Sequence, residues 1–209
     1  MKIVFTGGGT GGHFYPIIAV AEAVNKIMDE EKLVDIELYY FSNEEYDRGL
    51  LFENQIKFGK VEAGKMRRYL SIWNITDAFK TLFGMIRALS KLYLLYPDVV
   101  FGKGGYASFP VVFAAHFLQI PVVIHESDSL PGRVNLWAGK FAKRIGIAYP
   151  EAAAYFPKEK TALVGMPIRR ELLKANSVGA YEYLKLEPNV PVLFVLGGSQ
   201  GSRAINEVV

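Results

Sequence analysis

Five glycines ending in a histidine, Gly7-Gly8-Gly9-Thr10-Gly11-Gly12-His13, follow an apolar run and precede a helical pattern from Tyr15. Backbone N–H groups in such a loop, together with a helix amino terminus, can face a polar or anionic ligand without Cβ interference. His13, at the loop-to-helix transition, suits either of two roles: taking a proton from a hydroxyl nucleophile, or capping and satisfying a neighbouring carbonyl. A second glycine loop, Gly102-Lys103-Gly104-Gly105-Tyr106-Ala107-Ser108, leads into an apolar helix beginning near Pro110. So much glycine beside Tyr106 and Ser108 points to ligand contact. His125-Glu126 closes the apolar run Pro121 to Ile124, where a polar pair needs a partner or a function. Glu126 is open to binding sugar hydroxyls, acting as a base, or orienting His125. His116, among Val112, Phe113, Ala114 and Phe117, reads as a structural helix histidine.

Rival chemistries lack a necessary residue. Gly7, Gly9 and Gly12 have the dinucleotide spacing, but the second strand ends in Phe41-Ser42-Asn43, with no acid to hold a ribose diol. No Lys-Ser or Lys-Thr follows the glycines, as a phosphate-loop NTPase requires, and no serine sits in Gly-x-Ser-x-Gly. Histidines and carboxylates show no metal-ligand spacing, so neither a protein-held metal nor another cofactor is expected.

These residues need elements to position them. Short β-branched or aromatic runs, at Ile3 to Thr6, Ile36 to Phe41, Ile56 to Val61, Val99 to Gly102, Val122 to His125, Ile145 to Ala148 and Ala162 to Val164, alternate with helix-length amphipathic segments. That alternation predicts an α/β fold, a Rossmann-like doubly wound parallel sheet. Ligands of such sheets lie beyond the carboxyl ends of the strands, where strand order reverses. Gly7 to His13, Gly102 to Ser108 and His125 to Asp128 follow the first, fourth and fifth strands, so the pattern predicts one shared crevice. The alternation breaks near Gly165-Met166-Pro167, giving a domain over 1–165 and a linker with the start of a second domain over 166–209. There, a strand Val192 to Leu196 is expected to enter Gly197-Gly198-Ser199-Gln200-Gly201 and a helix from Arg203. One strand and two helical turns cannot bury a core, so the rest of that carboxyl-terminal domain is expected to be missing from this chain.

With 209 residues, 51% of them hydrophobic, the chain can bury a substantial core. It has no cysteine, which removes disulfides and thiolate metal sites. No export signal opens the chain and no apolar run is long enough to span a bilayer. A net charge of +3 gives no reason to expect nucleic acid. The basic residues are concentrated between 65 and 96. There Lys65, Arg67, Arg68, Lys80, Arg87 and Lys91 are interleaved with Tyr69, Ile72, Trp73, Ile75, Phe79, Leu82, Phe83 and Ile86, against one acid, Asp77. Such a segment suits a helix lying on an anionic membrane surface, with Arg67, Arg68, Ile72, Trp73, Phe79 and Lys80 as contacts. Ile75, Phe79, Leu82 and Ile86 share one helical face, which is expected to pack on the sheet and leave Tyr69, Ile72 and Trp73 exposed.

Taken together, the motifs resemble the MurG family of glycosyltransferases. The matching residues are Gly7 to His13 with Pro16; Gly104-Gly105-Tyr106 with Ser108 and Pro110; Pro121 to Glu126 with Pro131-Gly132; Gly165, Pro167 and Arg169; and Gly197 to Gly201. The resemblance spans the whole chain but only about half of the family's architecture. It implies the amino-terminal domain of a two-domain (GT-B type) enzyme. Such an enzyme transfers N-acetylglucosamine, with inversion, from UDP-N-acetylglucosamine to undecaprenyl-linked N-acetylmuramyl-pentapeptide in peptidoglycan synthesis. It is peripheral on the cytoplasmic face of the bacterial membrane. By the same resemblance, His13 and then Glu126 are the candidates for general base. Thr10, Gly11 and Gly12 look like donor-side contacts, Arg169 and Ser199 like contacts to the nucleotide, and Tyr106 and His125 like acceptor-side residues; Ser108, Asp128 and Gln200 look like further substrate-binding positions. Asp128 stands where many members have asparagine, and Met166 where asparagine usually precedes the proline; the first bears on a donor contact. A transferase acting on diacylglycerol and a non-catalytic acceptor-binding subunit are the rival readings. The fragment alone is expected to be inactive.

Overall fold

The fold is described from a computed structural model over residues 1–65, 73–173, 179–187, 189–197 and 202–208, with the side chains of residues 73 and 74 excluded. Contacts divide the chain into two compact units, Met1–Arg169 and Arg170–Val209. The first is built on seven parallel strands: β1 (Lys2–Thr6), β2 (Glu37–Ser42), β3 (Ile56–Lys60), β4 (Val99–Gly102), β5 (Val122–Glu126), β6 (Arg144–Ile147) and β7 (Thr161–Leu163). Their spatial order is β3-β2-β1-β4-β5-β6-β7, the α/β doubly wound arrangement expected from the sequence. Neighbours in register include Phe5 opposite Tyr40 and Phe101, and His125 opposite Gly146.

Alternation along β1 supplies both cores. Ile3 and Phe5 face a cluster with Phe14, Ile17, Ile18 and Ala21 of helix α1 (Gly11–Glu30) and with Leu51 of α2 (Arg48–Glu53). Val4, between them, faces the opposite layer, built from α3 (Trp73–Leu95), α4 (Phe109–Phe117) and α5 (Arg133–Gly139) with Val100, Ile124 and Ile145. Parallel strands covered on both faces carry continuous apolar runs, which is why they were readable from composition. Helix α1 begins at Gly11, four residues before the start the pattern gave, so His13 lies in its first turn.

Helix α3 overturns one expectation. Its buried stripe is Asp77, Gly84, Ala88 and Leu92, with Thr81 half-buried between the first two, so that successive members are four, three, four and four apart. These mostly small residues allow close approach: a Cβ at Gly84 would collide with the Glu62 carbonyl. Ile75, Phe79, Leu82 and Ile86, expected on the sheet, lie on the opposite side and are exposed, as is Phe83 at 70%. Close packing of small residues against α4 won over burial of the larger ones. Arg87 donates to Glu62 Oε1 at 2.5 Å beside this face.

In the second unit, residues 192–197 form no strand; an isolated strand has no neighbour to pair its N–H and C=O groups, so the apolar run alone cannot make one. A short helix, α8 (Arg203–Asn206), follows α6 (Arg170–Leu173) and α7 (Ala180–Tyr183), its first turn capped by Ser202 Oγ accepting from the Ile205 N–H.

Candidate active site

Strand order reverses between β1 and β4, so the loops leaving these two strands part and open a crevice. The tip of β2 fixes the first loop from behind. Tyr40 Oη and Ser42 Oγ both donate to the Gly7 carbonyl, at 2.7 and 2.9 Å, and Thr6 Oγ1 donates to the Phe41 carbonyl at 2.8 Å. Ser42, where a dinucleotide fold would carry its ribose-binding acid, thus holds the loop itself. Gly9 adopts φ +88°, and a Cβ there would lie 2.7 Å from Tyr106 Cε1. From the other side Gly105, at φ +77°, comes so near that an added Cβ would stand 2.9 Å from the Gly8 carbonyl and 3.2 Å from His13 Nε2. Side chains at either glycine would force the two loops apart.

The third strand tip completes a cleft of about 330 Å³ lined by Thr10, Gly12, His13, Lys103, Gly105, Glu126, Ser127, Asp128, Gly132, Asn135 and Met166. His13 Nδ1 pairs with Thr10 Oγ1 at 2.9 Å, leaving Nε2 toward the second loop. Burial, reinforced by the Lys103 ammonium, holds His13 below its ordinary value of 6.5 despite Asp128 and Glu126. Glu126 is 4% exposed, and both its oxygens are occupied. Oε1 accepts from the Ser127 and Asp128 N–H groups at 2.8 and 3.0 Å, and Oε2 from the Gly132 N–H and Asn135 Nδ2, each at 3.0 Å. Asn135 Nδ2 also reaches the His125 carbonyl at 3.1 Å. The carboxylate therefore ties β5, the following loop and α5 together.

The other expected residues divide into supports and rim. His125 turns from the cleft; its Nε2 donates to the Gly165 carbonyl at 2.9 Å, leaving Nδ1 buried without a partner among the described residues. Burial pushes it, too, below 6.5. Ser108 is buried and donates to the Gly105 carbonyl at 2.9 Å, bracing the second loop. Tyr106 packs its half-buried ring on Gly9. Gly11 is buried in the first turn of α1, where a Cβ would crowd Tyr15 and Tyr46. The Arg169 guanidinium stands over the Tyr15 ring, 4.3 Å from its centroid. Arg67, Arg68, Ile72, the Trp73 side chain, Ser199 and Gln200 lie outside the described residues. Lys103, Ser127 and Asn135 were not singled out in the sequence. The available signals were a lysine inside a glycine loop at a strand end and an asparagine in the short helix after Pro131-Gly132. His116 stacks on Phe141 at 3.8 Å, away from the cleft. Among the described residues, no group of three or more histidines and carboxylates has the arrangement to hold a metal ion.

Residues 3–147 match the glycosyltransferase family 28 N-terminal domain. A relative from Clostridium botulinum, strain Hall, is 39% identical over 208 residues, covering all of this chain and 57% of the relative. It is named UDP-N-acetylglucosamine–N-acetylmuramyl-(pentapeptide) pyrophosphoryl-undecaprenol N-acetylglucosamine transferase, and a relative of the same name from Shouchella clausii is 40% identical with the same coverage. This chain thus spans a little over half of their length. Acinetobacter baumannii MurG superposes with a TM-score of 0.61 at 25% identity, over 83% of this chain and 47% of that one. A putative UDP-N-acetylglucosamine 2-epimerase from Listeria monocytogenes, TM-score 0.56 at 14% identity over 77% of this chain and 44% of that one, shares the fold alone.

Proposed function

The chain belongs to glycosyltransferase family 28, whose N-terminal domain it carries, and from that premise we propose that it forms the acceptor-side half of a lipid-linked sugar transferase. The reaction is transfer of N-acetylglucosamine, with inversion, from UDP-N-acetylglucosamine to undecaprenyl-linked N-acetylmuramyl-pentapeptide. The observation that carries this reading is the meeting of three loops in one cleft, with His13 Nε2 facing it. If Nδ1–H donates to Thr10 Oγ1, Nε2 keeps a lone pair for the acceptor's hydroxyl proton. The acceptor oxygen then bonds to the anomeric carbon as the bond to the UDP oxygen breaks, and that oxygen takes the electron pair. Arg169, held over Tyr15 at the end of the first unit, supplies positive charge for the departing diphosphate. Full-length protein given UDP-N-acetylglucosamine should glycosylate the muramyl-pentapeptide lipid and leave diacylglycerol unmodified. Turnover with diacylglycerol alone would replace this reading by its nearest rival.

The exposed face of α3 supports a place for the protein at a membrane surface. Ile75, Phe79, Leu82, Phe83 and Ile86 form an apolar strip, and three of them, Phe79, Phe83 and Ile86, line a groove with Glu62, Thr76, Lys80 and Arg87. No helix among the described residues is long and apolar enough to cross a membrane. An apolar strip with a cationic border lies in the interface of an anionic bilayer instead, on its cytoplasmic side. Full burial of a phenylalanine contributes about 1.5–3 kcal/mol. Phe79→Ser with Phe83→Ser should therefore lower partitioning onto anionic vesicles by more than about tenfold, measured by sedimentation. Equal partitioning of the variant and the parent protein would remove the assignment.

A further inference from the structure

Lys103 is only 2% exposed, yet its ammonium borders the cleft. Its backbone N–H donates to the Thr6 carbonyl at 2.8 Å, and its stem runs so close to Gly7 that an added Cβ there would lie 3.0 Å from Lys103 Cβ. The side chain is thereby fixed at the point where the loops after β1 and β4 part. Nζ donates to Ser127 Oγ, which uses one of three protons. Among the described residues no carboxylate oxygen comes within the 4.0 Å of an ion pair. Glu126, the buried acid of the cleft, is already saturated by the Ser127, Asp128 and Gly132 N–H groups and Asn135.

A desolvated ammonium without a close counterion is costly, several kcal/mol in other proteins. Burial pushes Lys103 down to about 8 in spite of Glu126 and Asp128. Packing does not require the charge, since a methionine has nearly the same length and no ammonium to desolvate. The surroundings identify what it is for. Thr10, Gly12 and His13, at the amino terminus of the 20-residue helix α1, and Gly105 of the second loop line the same cleft, and a helix amino terminus presents N–H groups and positive potential to an anion.

We propose that Lys103, with the two glycine loops, binds a phosphoryl oxygen of a diphosphate-bearing substrate. The two sources are the nucleotide diphosphate of the donor and the polyprenyl diphosphate of the acceptor, and naming them rests on the transferase reading. Calorimetric titration of the parent protein and Lys103→Met with inorganic pyrophosphate, UDP and farnesyl diphosphate separates them. Loss of a charge-assisted contact should weaken pyrophosphate binding about ten- to hundredfold. Whichever of UDP and farnesyl diphosphate weakens in parallel is the source. Equal affinity of parent and variant for all three compounds, or no binding of pyrophosphate to the parent, overturns the proposal. The ligand-free variant should melt no lower than the parent, because it loses a buried unpaired charge. If it does melt lower, Lys103→Gln, which keeps a donor for Ser127, decides: retained pyrophosphate affinity overturns the proposal and lost affinity supports it. Binding is read without turnover, so a full-length protein that holds pyrophosphate through Lys103 but transfers no sugar would sink the transferase reading alone.

Discussion

His13→Ala should reduce kcat of the full-length protein by about 10²–10⁴-fold, the usual contribution of a positioned general base, with KM for UDP-N-acetylglucosamine little changed. The separation follows from where the ring points: Nδ1 is engaged by Thr10 and Nε2 looks toward the second loop, the side on which the proposed reaction puts the acceptor hydroxyl. The pH profile gives an independent sign. His13 is held below 6.5 by burial and by Lys103, so at neutral pH it is the free base. kcat/KM should fall on acidification with a midpoint below 6.5, and that limb should vanish in His13→Ala. Stability moves the same way. With His13 and His125 both depressed, the unfolded chain binds more protons than the folded one just below pH 6.5, and the folded state loses ground as pH drops through that window. Near-parental kcat in His13→Ala would show that another group takes the proton.

The strands were legible because a doubly covered parallel sheet needs uninterrupted β-branched and aromatic runs. All seven fall within two residues of the runs that announced them, with Val99 to Gly102 matching at both ends. The final rungs depend on where the neighbour's ladder stops, as Glu126 joining β5 through Ile147 illustrates, and that is not written in one strand. The sites of the loops were legible for a similar reason, since glycine clusters at strand tips have few other uses. Helix α3 was misread because periodicity reports that apolar residues share a face, not which side of the helix meets the sheet. That choice was made by Gly84 and Ala88, whose lack of bulk lets the opposite stripe approach the loop after β3 and α4. Lys103 escaped notice because a lone lysine in a loop ordinarily points to water, whereas here it is buried with its Nζ donating to Ser127 Oγ. The run 192–196 failed as a strand because pairing is a property of two segments.

Glu126→Gln is the sharper test of what the cleft needs, because the two roles open to this residue predict different outcomes. Each carboxylate oxygen accepts two hydrogen bonds from the Ser127, Asp128 and Gly132 N–H groups and Asn135 Nδ2. An amide has one acceptor oxygen, so whichever way it is turned, its NH₂ faces two donors. Leaving buried donors unsatisfied costs about 1–3 kcal/mol each, so the variant should lose roughly 2–5 kcal/mol of stability, a large share of a typical domain's margin of about 5–15 kcal/mol. Thermal melting should fall accordingly, and kcat should fall together with a rise in KM for both substrates, because Ser127 and Asp128 line the cleft. Asn135→Ala removes one of the four donors and should show the same pattern at reduced size. A base would behave otherwise: Glu126→Gln would then melt like the parent and lose kcat alone. That outcome would require the carboxylate to release its loop contacts during turnover, and would move the proton-accepting role from His13 to Glu126.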